Sequence, residues 1–510
     1  MAEYVLINRR SGMFTDQEKV ASRATAAHVL AMVSPGDIVA DNDPRDPLAR
    51  RSALLDVAPS AVAEMRGSLP PDVILEPAVR RQLHRRVPIE LRASLPFAAA
   101  TTASRSATAT SAGASKYRLT VTGGGRPLAH IEVYIYLRQP SGSESNVIVR
   151  TNAKGQCSVA VPRGVQVAFV EPIPHDSFWI MLVEAPPSGS TLDCLRIAKP
   201  GRGGRAWWHE RMNIDVSDKK RGHGIRVGVI DTGCGPHRNL RHVTLVGAFV
   251  DGTVQPPKTG RDVAEHGTHT TGIVGARPSR ASDYAGVAPG CTLFHARVFK
   301  SELPGDGPTQ LDIINAIDTL SREHQCDLIN MSLGGGPPSQ AEEDAIRDAA
   351  ERGTLCICSA GNDAGAIDYP GAYHECAAVS AVGVLGWAPA GTFSANNRPH
   401  DAHKLGADNL FLASFSSYGA TLACAAPGVG IVSTVPRLPQ HAGDYMEMDG
   451  TSMASPAACG ALAVILAEDA HYPSLPRDLS RTKRASFLLA RHCHTFGLPT
   501  KYEGRGLPTA

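Results

Sequence analysis

The sequence predicts an α/β protein built on a mostly parallel sheet flanked by helices, preceded by a small α/β unit and a small β-sandwich. Three observations carry this reading. From about residue 205 onward, apolar strand runs alternate with helical runs. Residues 116–200 hold only short β-type runs, and residues 1–88 hold strand, helix and strand patterns in turn. A chain of 510 residues is also too long for one hydrophobic core, so several domains are expected.

In residues 1–88, Tyr4–Ile7 is an apolar, β-prone run. Ser60 to Arg66 has helical character, with Val62 and Met65 on one side, and Val73–Leu75 reads as a second strand. The dibasic pairs Arg80-Arg81 and Arg85-Arg86 follow; such basic runs are usually solvated surface. Residues 89–115 are rich in Ala, Ser and Thr and nearly free of large apolar groups, which predicts a flexible linker.

Between 116 and 200 the β-type runs are Tyr117–Thr122, Ile131–Leu137, Val147–Thr151, Cys157–Val161, Val165–Val170 and Phe178–Val183. Ile131, Val133, Ile135 and Leu137 alternate with Glu132, Tyr134 and Tyr136, the period of a half-buried strand. Short runs at this spacing, separated by Gly, Pro, Asn and Ser, predict a small β-sandwich.

Residues 205–510 carry the alternating pattern. Arg226–Ile230 is a buried strand, Leu311–Leu320 a helix, Asp327–Met331 a strand, Ala341–Arg352 a helix and Leu355–Ser359 a strand. This alternation implies a mostly parallel sheet covered on both faces, whose active sites gather at the carboxyl ends of the strands.

Bulk properties narrow the function. Fifty-one basic residues face 49 acidic ones, leaving a net charge of +2, so no nucleic-acid or anionic-membrane partner is expected. No run of about 18 apolar residues occurs, so no membrane span is expected. The start MAEYVLINRRSG lacks the apolar core of a signal peptide. Eleven cysteines is an odd, scattered count without a paired CxxC zinc pattern. Cys356 and Cys358 alternate in an apolar strand and read as packing. A cytoplasmic chain with free thiols is the expectation, with leader-less export left open.

Four segments carry polar residues where chemistry would sit. RVGVIDTG ends an apolar strand in Asp231, which could orient a histidine or cap the turn. EHGTHTTG offers His266 as a general base. HGTH lacks the HExxH spacing, so His269 reads as structural. GTSMASP places Ser452 just before an Ala-rich helical stretch, as a nucleophile near a helix N-terminus or as its cap, with Pro456 in the first turn. LCICSAGND ends a strand and presents Asn362, an oxyanion donor or a turn residue. A serine hydroxyl needs a base within reach, and that base an orienting group.

VIDTG, HGTH, INMSLGG, SAGN, FSSYG, APG and GTSMASP occur in this order, and KYEGRGLP follows near the end. Together they resemble the subtilisin-like serine proteases over about 205–510. The resemblance implies peptide-bond hydrolysis of a polypeptide substrate through an acyl-enzyme. Asp231, His266 and Ser452 would form the triad, with Asn362 as oxyanion donor. Ser332, Leu333 and Gly334 match the segment that pairs with substrate backbone, and with Ala360 and Gly361 would line the P1 pocket. Asp368 falls at its base and would favour Lys or Arg.

YVLINRR, ALLDVAPSAVAEMRG and DVILEP resemble the family's inhibitor-type propeptide, which implies a self-inhibited precursor with an intramolecular partner domain. Here a linker and a β-module separate that unit from the catalytic domain. Arg80-Arg81, Arg85-Arg86 and Lys219-Lys220-Arg221 are the candidate cleavage points.

The chemistry requires no cofactor and no catalytic metal. ARPSRASDYA lacks the Asn-rich loop with which the family often holds structural calcium. Residues 386–410 look like an insertion, either a rim loop over the cleft or surface decoration. The competing reading is a pseudoprotease or scaffold that binds partners through the β-module.

Overall fold

The computed structural model describes residues 2–9, 15–83, 114–174, 178–301, 303, 305–437 and 443–510. Arg85-Arg86 and all but the last two residues of the 89–115 stretch lie outside the described residues.

The N-terminal unit runs β1 (Ala2–Asn8), α1 (Asp16–Ala31), β2 (Ile38–Asn42), β3 (Ser52–Val57), α2 (Pro59–Ser68) and β4 (Val73–Pro77). Its antiparallel sheet has the order β2-β3-β1-β4. Both sheet faces are covered, which explains why Val5, Leu6 and Ile7 are apolar in succession. Leu6, Leu55 and Leu75 pack beneath Val29 and Leu30 of α1 and Val62 of α2. Val5, Ile7 and Leu54 point the other way, onto Leu311, Ile314, Ala341 and Ala345 of the large domain. Helix α1 opens on a capping box between Thr15 and Glu18.

The second unit holds β5 (Ser115–Gly123), β6 (Arg126–Pro127), β7 (Glu132–Arg138), β8 (Glu144–Arg150), β9 (Gln156–Val161), β10 (Gln166–Ile173), β11 (Val183–Glu184) and β12 (Thr191–Cys194). These form two sheets, β11-β10-β7-β8 and β12-β5-β6 with β9 beside β5. Leu119, Val121, Val133, Ile135 and Val170 fill the space between them.

The expected strand Phe178–Val183 is a different object. Phe178 makes one bridge to Arg196 and Met181 one to Thr392, while Trp179 and Ile180 leave the sandwich and bury themselves in the large domain. There the Ile180 N–H donates to Glu447 Oε1 at 3.0 Å, and the Phe393 N–H donates to the Ile180 carbonyl at 2.8 Å. Trp179 meets Trp387 edge to face at 5.7 Å. The insertion at 386–410 therefore receives the sandwich, which corrects the expectation of a rim loop or plain decoration.

The large domain comprises α3 (Trp207–Arg211), β13 (Arg226–Asp231), β14 (Thr244–Val250), β15 (Thr253–Gln255), α4 (His266–Gly275), β16 (Thr292–Arg297), α5 (Gln310–Asp318), β17 (Leu328–Met331), α6 (Gln340–Glu351), β18 (Leu355–Ser359), β19 (Cys376–Val384), β20 (Leu410–Leu412), β21 (Leu422–Pro427), β22 (Ile431–Thr434), β23 (Tyr445–Met448) and α7 (Thr451–Glu468), followed by C-terminal helical segments. The sheet order is β15-β14-β16-β13-β17-β18-β19-β20, with β21 also on β19. Only β15 and β20 run antiparallel to their neighbours. This is the mostly parallel sheet with flanking helices that the alternation predicts.

Helix α7 is long and apolar enough to cross a membrane, but 89% of that stretch is buried within the domain. It is a core helix packed on α4 and the sheet. All eleven cysteines are free thiols, and Cys356 and Cys358 are buried on β18.

Candidate active site

The sequence-predicted residues collect at the carboxyl ends of three adjacent parallel strands and the starts of two helices. Asp231 ends β13, Ser332–Gly334 follow β17, and Ala360–Asn362 follow β18. His266 opens α4, and Ser452 is the second residue of α7.

Asp231 is fully buried. Its Oδ1 accepts from His266 Nδ1 at 2.7 Å and from the Thr232 N–H at 2.7 Å, so the orienting and turn-capping roles coexist. Its Oδ2 accepts from Thr270 Oγ1 at 3.1 Å. Nδ1 is thus committed to the carboxylate, which fixes the orientation of the His266 ring. His269 is buried and its Nε2 donates to the carbonyls of Ile431 and Met446, at 3.2 and 3.0 Å. It ties α4 to the β22–β23 ribbon.

Two supporting groups were not singled out from the sequence. Asp262 accepts from Thr232 Oγ1 at 2.8 Å and from the Thr268 N–H at 2.7 Å, clamping the β13 turn to the start of α4. Burial pushes its carboxyl above the usual range. His295 accepts the Gly233 N–H on Nε2 at 3.1 Å. That bond assigns its proton to Nδ1, which donates to Thr271 Oγ1 at 2.9 Å. Burial lowers the His295 pKa to about 4, so it enters the fold neutral.

The Ser452 end is held differently. The N-cap of α7 is Gly450, so Ser452 is not the cap. Its Oγ donates to the Ser332 carbonyl at 3.2 Å, and Ser332 Oγ donates back to the Ser452 carbonyl at 2.9 Å. Pro456 explains the return bond. It is the sixth residue of α7, beyond the first turn expected from the sequence, and has no N–H to give the Ser452 carbonyl four residues back. The Ser332 hydroxyl fills that place.

Asn362 Oδ1 accepts from the Thr451 N–H at 2.9 Å and from Thr451 Oγ1 at 2.8 Å. These bonds orient the amide and make Nδ2 its donor end. Thr451 Oγ1 also accepts the Gly361 N–H at 3.1 Å, so one hydroxyl joins the β18 turn to the start of α7.

Ala360 is buried against Ala378 and Leu422, and Leu333 lies in the core beside β17. Asp368 returns its backbone N–H to the Ala360 carbonyl at 2.9 Å. Its Oδ2 would stand 2.5 Å from a Cβ at Gly361, which also has a φ of +114°. Glycine is required there on both counts.

The N-terminal unit reaches this site directly, although the sandwich lies between them in sequence. Beyond β4, Gln82 pairs antiparallel with Gly334, exchanging backbone bonds of 2.9 and 3.2 Å. Arg81 is fully buried, and Arg221 is buried with its guanidinium on the Val287 and Gly286 carbonyls at 2.6 Å. Neither belongs to a solvated basic run, because the Arg81 guanidinium is held by the Glu342 carboxylate and the Gly335 and Pro337 carbonyls, and that of Arg221 by backbone carbonyls.

The stretch expected to decide on calcium is closed by protein charge. Asp283 accepts the Ser279 and Arg280 N–H groups at 2.9 Å and pairs with Arg238, which also pairs with Asp444. Burial alone would raise the Asp283 pKa, but Arg238 and these amides hold it well below the usual range. The residues here do not fit a calcium ion, since a guanidinium already matches the carboxylate. Among the described residues no group of three or more His, Cys, Asp or Glu side chains is placed to hold a metal.

Comparison with known proteins finds relatives of this chain. A family model described as the subtilase family matches residues 222–484. An intracellular serine protease of Paenibacillus polymyxa is 31% identical over 300 residues, covering 57% of this chain and 81% of that protein. The major intracellular serine protease of Bacillus subtilis (strain 168) is 32% identical over 280 residues, 53% of this chain and 76% of that protein. Subtilisin DY of Bacillus licheniformis is 34% identical over 271 residues, 52% of this chain and 84% of that protein. The chain belongs to the subtilase family of subtilisin-like serine proteases.

Proposed function

We propose that this chain is an endopeptidase in which Ser452 attacks the peptide carbonyl, His266 takes its proton, and Asp231 orients and charge-balances the imidazole. Asn362 Nδ2 and the Ser452 N–H would hold the oxyanion at the start of α7. Ser332–Gly334 would pair with an extended polypeptide, giving affinity through main-chain bonds. Ala360, Gly361 and Asp368 would shape the P1 pocket, with Asp368 favouring Lys or Arg. The observation that carries this reading is the buried Asp231–His266 bond of 2.7 Å, at the same sheet end as the reciprocal Ser452–Ser332 pair.

The N-terminal unit acts in this reading as an intramolecular inhibitor, supported by the pairing of Gln82 with Gly334. A cytoplasmic location is supported by two relatives that are named intracellular serine proteases.

The test is fluorophosphonate labelling with hydrolysis of an unfolded protein by full-length wild type and variants. Ser452→Ala and His266→Ala should lower turnover about 10⁴-fold or more, as should Asp231→Asn. Asn362→Ala should lower it about 100- to 1000-fold. Wild-type turnover in Ser452→Ala would overturn the assignment.

A further inference from the structure

Arg81 is among the largest fully buried side chains of the protein, although it lies in a connecting segment. Its backbone belongs to the stretch that enters the groove. Arg80 bridges to Thr309, the Arg81 N–H donates to the Pro308 carbonyl at 2.9 Å, and Gln82 pairs with Gly334. Residues 80–82 thus form a central strand between two edges of the large domain, as a bound polypeptide would. Gly307 allows this approach: a Cβ there would stand 1.9 Å from the Arg81 carbonyl oxygen.

The side chain fills a pocket made wholly by the large domain. Nε donates to Glu342 Oε1 at 3.2 Å, and Nη2 to Glu342 Oε2. Nη1 donates to the Pro337 carbonyl at 2.9 Å and to the Gly335 carbonyl, and Nη2 reaches Tyr373 Oη at 3.5 Å. All five guanidinium N–H groups are matched, and both Arg81 and Glu342 side chains are 0% exposed. An ammonium has three donors and no planar fork, so lysine would leave acceptors unmet. An apolar residue would leave the Glu342 carboxylate buried and unpaired.

We propose that this Glu342 pocket selects an arginine in polypeptide substrates, a proposal that rests on the peptidase reading above. The register sets where the cut falls. Arg81 stands one residue before Gln82, the partner of Gly334, and Ser332, whose carbonyl accepts the Ser452 hydroxyl, lies two residues before Gly334. A substrate in the same register brings the third residue after its arginine opposite Ser332. The cut then follows that third residue, four positions from the arginine counted inclusively. This selection is separate from any preference set by Asp368 at P1.

The experiment uses the full-length chain carrying Arg81→Ala, which loosens the resident segment. Internally quenched peptides of sequence Val-Arg-Arg-Gln-Leu-His-Arg-Arg-Val-Pro are offered with Arg, Lys, citrulline or Ala at the third position. The Arg peptide should exceed the Ala peptide in kcat/KM by at least about 30-fold, with Lys and citrulline between them. Adding Glu342→Gln should compress that ratio below about 5-fold. Equal rates for all four peptides would overturn the proposal and leave the peptidase reading standing, and so would fluorophosphonate labelling of Ser452 without cleavage of the Arg peptide. Absence of both labelling and hydrolysis of any protein would overturn the peptidase reading itself.

Discussion

Two accessory units lean on the same catalytic domain in opposite ways. The N-terminal unit keeps its own core and meets the large domain through a second, smaller apolar layer and ion pairs. Arg9 pairs with Asp344, Arg50 with Asp318 and Asp348, and Arg81 with Glu342. Glu76 adds a carboxylate at the N-terminus of α6, accepting the Gln340 and Ala341 N–H groups at 3.1 and 3.3 Å. The sandwich instead inserts Trp179 and Ile180 into the core of the large domain itself, beside Phe393 and Phe411. A polar seam around a separate core suits a unit that leaves once its connection is cut. A merged core does not come apart without unfolding. The difference supports the proposed reading, in which the sandwich would stay with the mature enzyme and the N-terminal unit would belong to its precursor.

The contrast can be broken in three places, all measured in full-length Ser452→Ala protein. The largest effect is expected from Trp179→Ala, which should cost about 3–5 kcal/mol of stability in urea denaturation of the large domain. A separate melting of the sandwich, with the large domain unchanged, would refute the merged core. Next, Arg50→Ala leaves the Asp348 carboxylate buried without its guanidinium and should cost about 3 kcal/mol. Hydrogen exchange should then quicken across β1–β4 while β13 and β17 stay protected. Loss of protection in both units would mean that the seam is not separable.

The smallest effect concerns acid. His209, His237 and His295 are buried in the large domain and His242 is half-buried there, and desolvation lowers their pKa values to about 3, 4, 4 and 4 for His209, His237, His242 and His295. Each is protonated near 6.5 in the unfolded chain, so their contribution is complete above that pH and is lost as pH falls from 6.5 toward 4. Asp312, raised by burial to about 6, and Asp262, also raised by burial, oppose this, because their cost is relieved as they protonate. Four groups outweigh two, and the Tm of the large domain should fall by several degrees between pH 7 and 4. A Tm that rises with acid would contradict the assignment of neutral histidines.

What could be read from the sequence was what is local. Asp231, His266, Asn362 and Ser452 each sit at a strand end or helix start marked by small residues, a local pattern that the sequence shows by itself. Asp262, His295 and Thr451 escaped notice because their roles lie in partners on other elements. Thr451, for example, binds an amide 89 residues away. Arg81 was misleading for the same reason, since Glu342 is 261 residues distant and a basic pair alone reads as surface. Phe178–Val183 reads as a β-type run because its residues are apolar, and that composition does not say against which body they pack. Helix α1 went unread because its buried side is Ser22, Ala26, Val29 and Leu30, too small and polar a stripe to stand out.

In the proposed reading, Ser452 cuts the chain that its own N-terminal unit lays in the groove. Mass-spectrometric mapping of new N-termini in full-length wild type and Ser452→Ala tests it most directly. A cut shortly after Leu83 is expected in the wild type, and an intact chain in the variant. The same cut in both proteins, or an intact wild type that also ignores fluorophosphonate, would contradict it.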